Sequence, residues 1–180
     1  MSAVNLMKHS KKAGVSRFIC TGTAYEYGKE AEKIDRIPPD YPLKPIGDYA
    51  ESKVAAFYIL KNLAIEYGMI FLYPRIFFTY GKGQYEKNFW PSLYKAAIKG
   101  EDFLMTKGRQ IFDFIKVESV SEYLFQACVR KDVDIKKPLV YNIGSGEPIS
   151  LYDFALLQWK SLGAKGRIIC LLYTSDAADE

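Results

Sequence analysis

The chain has 180 residues, 49% of them apolar, with 25 basic and 21 acidic side chains for a net charge of +4. That length supports one domain or a piece of one, and the apolar share is enough for a core. Basic residues scattered among acids leave no stripe for nucleic acid. One histidine, His9, argues against a histidine-based zinc site or a Ser-His-Asp triad. Three widely separated cysteines (Cys20, Cys128, Cys170) read as reduced core thiols, not as a disulfide or metal set. No secretory leader pattern and no membrane-length apolar stretch is read, so the expectation is a cytoplasmic protein without a membrane partner.

Strands and helices alternate along the chain, which predicts an α/β fold with a parallel sheet. Residues 4–13 read as a helix stopped by Gly14, and residues 15–21 as a strand. A loop with Pro38, Pro39, Pro42 and Pro45 leads into a long helix over residues 48–67, where Asp48 and Glu51 make a capping-box-like start. Its apolar side is expected from Val54, Phe57, Tyr58, Leu60, Ala64 and Ile65, with Gly68 closing it. Residues 69–78 are nearly all apolar, as in a buried parallel strand, with Pro74 expected to end regular pairing. A polar loop over 81–90 precedes a helix over 90–98, with Trp90, Leu93 and Ala97 apolar. Short strands follow at 103–105 and 111–115. A helix over 117–130 places Val120, Leu124, Ala127 and Cys128 inward. A strand over 139–143 runs into the turn Gly144-Ser-Gly146, whose amides could cradle phosphate but which reads better as a strand-to-helix turn. Ser150 caps a last helix with Phe154, Leu157 and Leu162 apolar, and residues 166–170 begin another strand.

The chemistry gathers between Thr21 and Lys53. A strand that ends in hydroxyls lifts Thr21 and Thr23 to the carboxyl edge of a parallel sheet, where open α/β folds bind ligands. Tyr49 and Lys53 are four apart on the next helix and share a face. An ammonium beside a phenol favours the phenolate, so a hydroxyl, a tyrosine and a lysine make an acid/base set for an alcohol or ketone. The same spacing in Tyr25 and Lys29 falls in a glycine-bearing loop without helical pattern. The alternative for Tyr49 and Lys53 is a plain solvated helix face.

Five pieces in order carry a family resemblance: Thr21-Gly-Thr-Ala-Tyr-Glu-Tyr-Gly28, Tyr49-Ala-Glu-Ser-Lys53, Arg75-Ile-Phe-Phe-Thr-Tyr-Gly81, Gln110-Ile-Phe-Asp-Phe-Ile-Lys-Val117 and Tyr141-Asn-Ile-Gly-Ser-Gly146. Over residues 5–169 the chain resembles the extended short-chain dehydrogenase/reductases, in particular the nucleotide-sugar epimerase/dehydratase group. The resemblance implies a Rossmann-like, doubly wound parallel sheet with a partial C-terminal substrate-binding region. It implies NAD or NADP as cofactor and hydride transfer at a sugar carbon. Tyr49 is then the acid/base, Lys53 holds the nicotinamide ribose, Thr23 bonds the reacting oxygen, and Thr21 and Phe77 lie at the cofactor. Substrate contacts are expected from Thr23, Phe78, Gln84, Asn88 and Arg109. Phe78 stands where family members often carry asparagine, and Phe112 where they commonly carry an arginine that meets the diphosphate. Arg109 or Lys107 is the nearby substitute, since guanidinium grips phosphate oxygens bidentately. Asp113 is expected to be structural.

The 4,6-dehydratases of the family follow the hydroxyl with an Asp-Glu pair. Ala24 and Tyr25 stand here, which disfavours that branch and leaves a 4-epimerase or a 4-keto reductase. Other readings are a non-catalytic Rossmann-like nucleotide-binding module, or an inactive fragment. No Gly-x-Gly-x-x-Gly turn for the pyrophosphate occurs, which reads as an amino-terminal truncation. The expected division is residues 1–80, with 110–145 interleaved, for the cofactor domain, and 81–169 for mostly substrate-binding structure. Residues 170–180 read as a non-native tail. The expected partners are a nucleotide sugar and a second copy, through helices 1–13 and 48–67.

Overall fold

The computed structural model describes residues 2–171. The elements run α1 (Ala3–Lys12), β1 (Arg17–Ile19), β2 (Gly22–Thr23), two 3-10 turns (Ala24–Tyr27 and Lys29–Lys33), α2 (Asp48–Glu66), β3 (Ile70–Ile76) and β4 (Phe78–Tyr80). They continue as α3 (Phe89–Lys99), β5 (Phe103–Met105), β6 (Ile111–Lys116), α4 (Val117–Val129), β7 (Leu139–Ile143), β8 (Pro148–Ser150), α5 (Leu151–Ser161) and β9 (Ile168–Cys170). This is the expected α/β architecture, with parallel strands and intervening helices.

The main sheet is parallel and centred on β3, with β1 and β2 end to end along one edge and β7 along the other. Pro74 does not end the pairing, contrary to expectation. The register runs through it from Leu72↔Leu139 to Ile76↔Ile143. The reason lies in the alternation of the ladder. Cys20 N–H donates to Leu72 O, while Phe77 N–H donates to Ile143 O. Even-numbered residues of β3 therefore face β1 and β2, and odd-numbered ones face β7. Pro74, with no N–H to give, points at the gap between β1 and β2. A second sheet orders β4-β6-β8, with β8 antiparallel, and a third pairs β5 with β9. Strand β8 escaped the sequence pattern because it is three residues long and begins with proline.

Three apolar clusters support these sheets. Met7, Phe18, Phe57, Leu60, Ala64, Met69, Phe71 and Tyr73 join α1 and α2 to the main sheet. Leu93, Ala97, Met105, Ala155 and Trp159 pack α3 and α5 on the third sheet. Ile115, Val120 and Ile143 join β6 of the second sheet and α4 to β7 of the main sheet.

Several helix details correct the sequence expectations. The N-cap of α2 is Gly47, with no side-chain cap bond, so Asp48 and Glu51 form no capping box and sit in the first turn. Carboxylates there still favour the helix through its dipole. Tyr58 and Ile65 are exposed, because the buried face is drawn by Ala50, Phe57, Leu60 and Ala64 at helical spacing. Cys128 is exposed on α4 rather than in the core. Leu157 is exposed on α5, whose buried face is Phe154, Ala155 and Trp159. Ser150 caps α5 as expected, its Oγ accepting from Asp153 N–H at 3.0 Å. The tail, from residue 172 on, lies outside the described residues.

Candidate functional site

The carboxyl ends of β1, β2 and β3 meet the first turns of α2, and Thr21, Thr23, Tyr49 and Lys53 lie on these segments. Lys53 reaches from α2 and donates from Nζ to Thr21 O at 3.0 Å. The same ammonium lies 5.9 Å from the centre of the Tyr49 ring. Tyr49 is 59% exposed. Thr23 ends β2 as the N-cap of the 3-10 turn, with its Oγ1 accepting from Tyr25 N–H at 3.4 Å. Burial first, and Tyr49 beside it second, push the Tyr25 phenol above its ordinary value. Tyr25 and Tyr49 are both exposed.

The turn under Thr23 contains a group that pattern reading missed. Glu26 is fully buried and forms an ion pair with buried Arg75, Oε2 to Nε, at 2.7 Å. Its Oε1 accepts from Thr23 N–H and from Tyr73 OH, each at 2.9 Å. Arg75 donates onward to Pro39 O at 2.9 Å and to Tyr27 OH at 3.3 Å. Tyr27 OH donates to Asn142 Oδ1 at 2.6 Å, and Asn142 Nδ2 to Ile37 O at 2.8 Å. The proline-rich loop is thus tied to the sheet through one polar network. The available signal was one charged residue set among apolar and aromatic neighbours in each motif, Glu26 between Tyr25 and Tyr27 and Arg75 between Pro74 and Ile76.

Phe77 and Phe78 leave the end of β3 together. Phe77 is half-buried, with its N–H on Ile143 O. Phe78 joins an aromatic cluster, its ring 3.9 Å from that of Phe112 and 5.3 Å from that of Tyr25. That packing explains why neither phenylalanine needs a polar replacement to be held in place. Gln84, expected to face substrate, has its amide on its own loop: Nε2 donates to Thr79 O at 2.9 Å, and Oε1 accepts from Gly81 N–H at 3.4 Å. Asn88 is exposed as the N-cap of α3, without a side-chain cap bond. Arg109 is exposed on the loop before β6.

Asp113 is structural, as expected. Its carboxylate accepts from Ser145 N–H and Ser145 Oγ, each at 2.6 Å, and from Gly146 N–H at 2.9 Å. The Gly144-Ser-Gly146 amides therefore hold the protein's own carboxylate rather than a free anion. A Cβ on Gly144 would sit 2.4 Å from Asp113 Oδ2, so only glycine admits this approach. Two surface hollows, one lined by Tyr123, Arg130 and Asn142 and one by Tyr80, Phe114 and Gln158, include none of Thr23, Tyr49 or Lys53. Among the described residues no group of three or more His, Cys, Asp or Glu could hold a metal ion, and no helix is long and apolar enough to cross a membrane.

Solved structures share this fold. UDP-glucuronic acid 4-epimerase from Bacillus cereus, in complex with UDP-glucuronic acid and NAD, superposes with a TM-score of 0.78 at 20% identity, over 93% of this chain and 52% of that one. UDP-N-acetylglucosamine 4-epimerase from Methanobrevibacter ruminantium M1, in complex with UDP-N-acetylmuramic acid, gives 0.78 at 18% identity, over 93% and 54%. The dTDP-glucose 4,6-dehydratase of Bacillus anthracis str. Ames, in complex with NAD, gives 0.76 at 21% identity, over 94% and 54%. The chain thus spans about half the length of these structures. No curated protein sequence matches it. The model of the NAD dependent epimerase/dehydratase family matches residues 1–144, most of the chain, and to that family the chain belongs.

Proposed function

We propose that the chain is the acid/base portion of an NAD(P)-dependent enzyme acting on a nucleotide sugar, either a 4-epimerase or a 4-keto reductase. The observation that carries this is the meeting of Lys53 Nζ with Thr21 O beside an exposed Tyr49, at the strand end that bears Thr23. The donor set fits a dinucleotide. An ammonium has three donors, and among the described residues Lys53 spends one, on Thr21 O, which leaves two for the ribose hydroxyls. Thr21 and Phe77 are the expected neighbours of the cofactor there. When bound, NAD(P) supplies the hydride acceptor or donor.

The chain's own residues handle the proton. Tyr49 takes it from the sugar hydroxyl, or returns it, while Thr23 Oγ1 bonds the reacting oxygen. Phe78 offers a ring face to the sugar, and exposed Arg109 and Asn88 serve the polar end of the substrate. Gln84 shapes the loop that leads to Asn88. Ala24 and Tyr25 bear no carboxylate, which favours epimerisation or reduction over dehydration. The neighbours hold UDP sugars and NAD, which supports a nucleotide diphosphate sugar as substrate class. The apolar clusters support a division into a cofactor part, residues 1–80 with 110–145, and a substrate part, 81–169. Exposed Leu6, Tyr58, Ile59 and Ile65 on α1 and α2 support self-association there.

The test is NAD(H) binding by calorimetry, then turnover of UDP sugars by the wild type and by Tyr49→Phe. Loss of turnover by about 100-fold or more with cofactor binding retained is expected, the usual weight of a general acid/base. Retained turnover removes Tyr49 from the mechanism. The Phe78–Phe112 pair at 3.9 Å favours a second reading, a nucleotide-binding module without turnover. Wild-type chain that binds NAD and a UDP sugar but converts neither supports that reading.

A further inference from the structure

We propose that buried Glu26, acting through Tyr73, locks the Thr23 turn to the helix that carries Tyr49 and Lys53, and so sets the spacing between the hydroxyl and the acid/base. The inference rests on the reading of Thr23, Tyr49 and Lys53 given above. Glu26 is a positioning residue in it, since it touches no reacting atom.

The geometry is a chain of four links. Thr23 N–H donates to Glu26 Oε1 at 2.9 Å, and Tyr73 OH donates to the same oxygen at 2.9 Å. The single Tyr73 proton is shared with Lys53 O at 3.2 Å, on the backbone of α2. Arg75 holds the other carboxylate oxygen from Nε at 2.7 Å. The Tyr73 hydroxyl remains a donor, because burial, and then the Glu26 carboxylate, push it far above the ordinary phenol value. Burial works against the Arg75 charge, but its bonds to Glu26 and Tyr27 leave its pKa above the ordinary guanidinium value, so the guanidinium stays charged. Lys53 Nζ on Thr21 O is a second tie across the same gap.

The cost of this arrangement argues for a purpose beyond stability. A buried ion pair loses its hydration, and an apolar replacement of similar volume is often as stable or more so. Here the pair lies directly beneath the residue expected to bond the reacting oxygen. Its satisfied hydrogen bonds leave the turn one position rather than several. The backbone is shaped to admit it. A Cβ on Gly22 would stand 2.4 Å from the Tyr73 ring and 2.5 Å from Glu26 Oε1.

Tyr73→Phe is the sharpest test, since it removes one hydroxyl and keeps both the ring in the core and the ion pair. Amide hydrogen exchange is followed by NMR in the 180-residue chain. Exchange at Thr23 should rise about tenfold, the weight of a hydrogen bond to a charged group, with Phe71 and Leu72 in the centre of the sheet unchanged. Unchanged exchange at Thr23, or an equal rise at all three, overturns the proposal. Glu26→Gln with Arg75→Met removes both charges together and should loosen Thr23 in the same selective way.

Turnover with NAD and a UDP sugar supplies the readout that a merely structural role would not move. Tyr73→Phe should lower kcat about tenfold and leave the KM for the sugar nucleotide unchanged. Tyr49→Phe runs beside it. If Tyr49→Phe keeps its turnover, the acid/base reading falls, and the positioning proposal falls with it. If Tyr49→Phe is inactive while Tyr73→Phe keeps the wild-type kcat, the positioning proposal alone is overturned.

Discussion

Two glycines show how closely the backbone is fitted around carboxylates. Gly22 passes the Tyr73 ring and Glu26, and Gly144 passes Asp113. Neither contact tolerates a methyl group without a shift of the neighbouring side chains. Gly22→Ala should destabilise the chain by about 1–3 kcal/mol, read as a lower urea midpoint with an unchanged slope. Asp113→Ala leaves Ser145 and Gly146 without their acceptor. A loss of about 1–2 kcal/mol is expected, because water can replace part of what is lost at this exposed turn. A variant as stable as wild type would show that the turn holds itself. Thr21, Tyr49 and Lys53 were legible because their order and spacing follow from one strand and one helix. Glu26 was not, because its partners Tyr73 and Arg75 lie 47 and 49 positions away.

At the scale of elements, the ends of the helices decide more than their middles. Helix α4 ends on Arg17 of β1, whose guanidinium donates to Ala127 O at 2.5 Å and to Arg130 O. A cation at a helix C-terminus satisfies the last carbonyls and meets the negative end of the dipole. Arg17→Met should cost about 1 kcal/mol and speed amide exchange in the last turn of α4 before it affects β3. Equal exchange in that turn would show that the contact contributes nothing. Helix α2 needs no side-chain cap because its core face, Phe57, Leu60 and Ala64, is pinned to β3. Tertiary packing supplies most helical stability in such cases. That is also why the capping-box pattern misled: a favourable local pattern is optional once a buried face fixes the helix.

Across the described residues, two of the apolar clusters draw on separate sets of elements, and a third joins β6 and α4 to β7. The first takes Met7, Leu60 and Phe71, and the second Leu93, Ala155 and Trp159. Leu60 and Leu93 are both fully buried, so replacing either with alanine should cost about 2–5 kcal/mol. The location of the damage separates them. Leu60→Ala should speed exchange in β3 first, and Leu93→Ala in β5 and α5 first. A uniform effect from either variant would mean that the chain unfolds as one unit and that the proposed division has no energetic counterpart.

Local order in the sequence determined the fold class, the strands expected over 15–21 and 69–78 and found as β1 (Arg17–Ile19) and β3 (Ile70–Ile76), the helix after the proline-rich loop, and the shared face of Tyr49 and Lys53. These depend on periodicity and on turn residues within a few positions of one another. Tertiary structure alone decided which side of a helix is buried, where a proline fits in a ladder, and which charges meet. Tyr58 and Ile65 turned outward because the sheet accepts only a narrow face of α2. Pro74 stayed in its strand because a partner lane breaks opposite it. Glu26 and Arg75 went inside because each satisfies the other there. Such outcomes depend on contacts between residues far apart in sequence, and neither composition nor spacing records them.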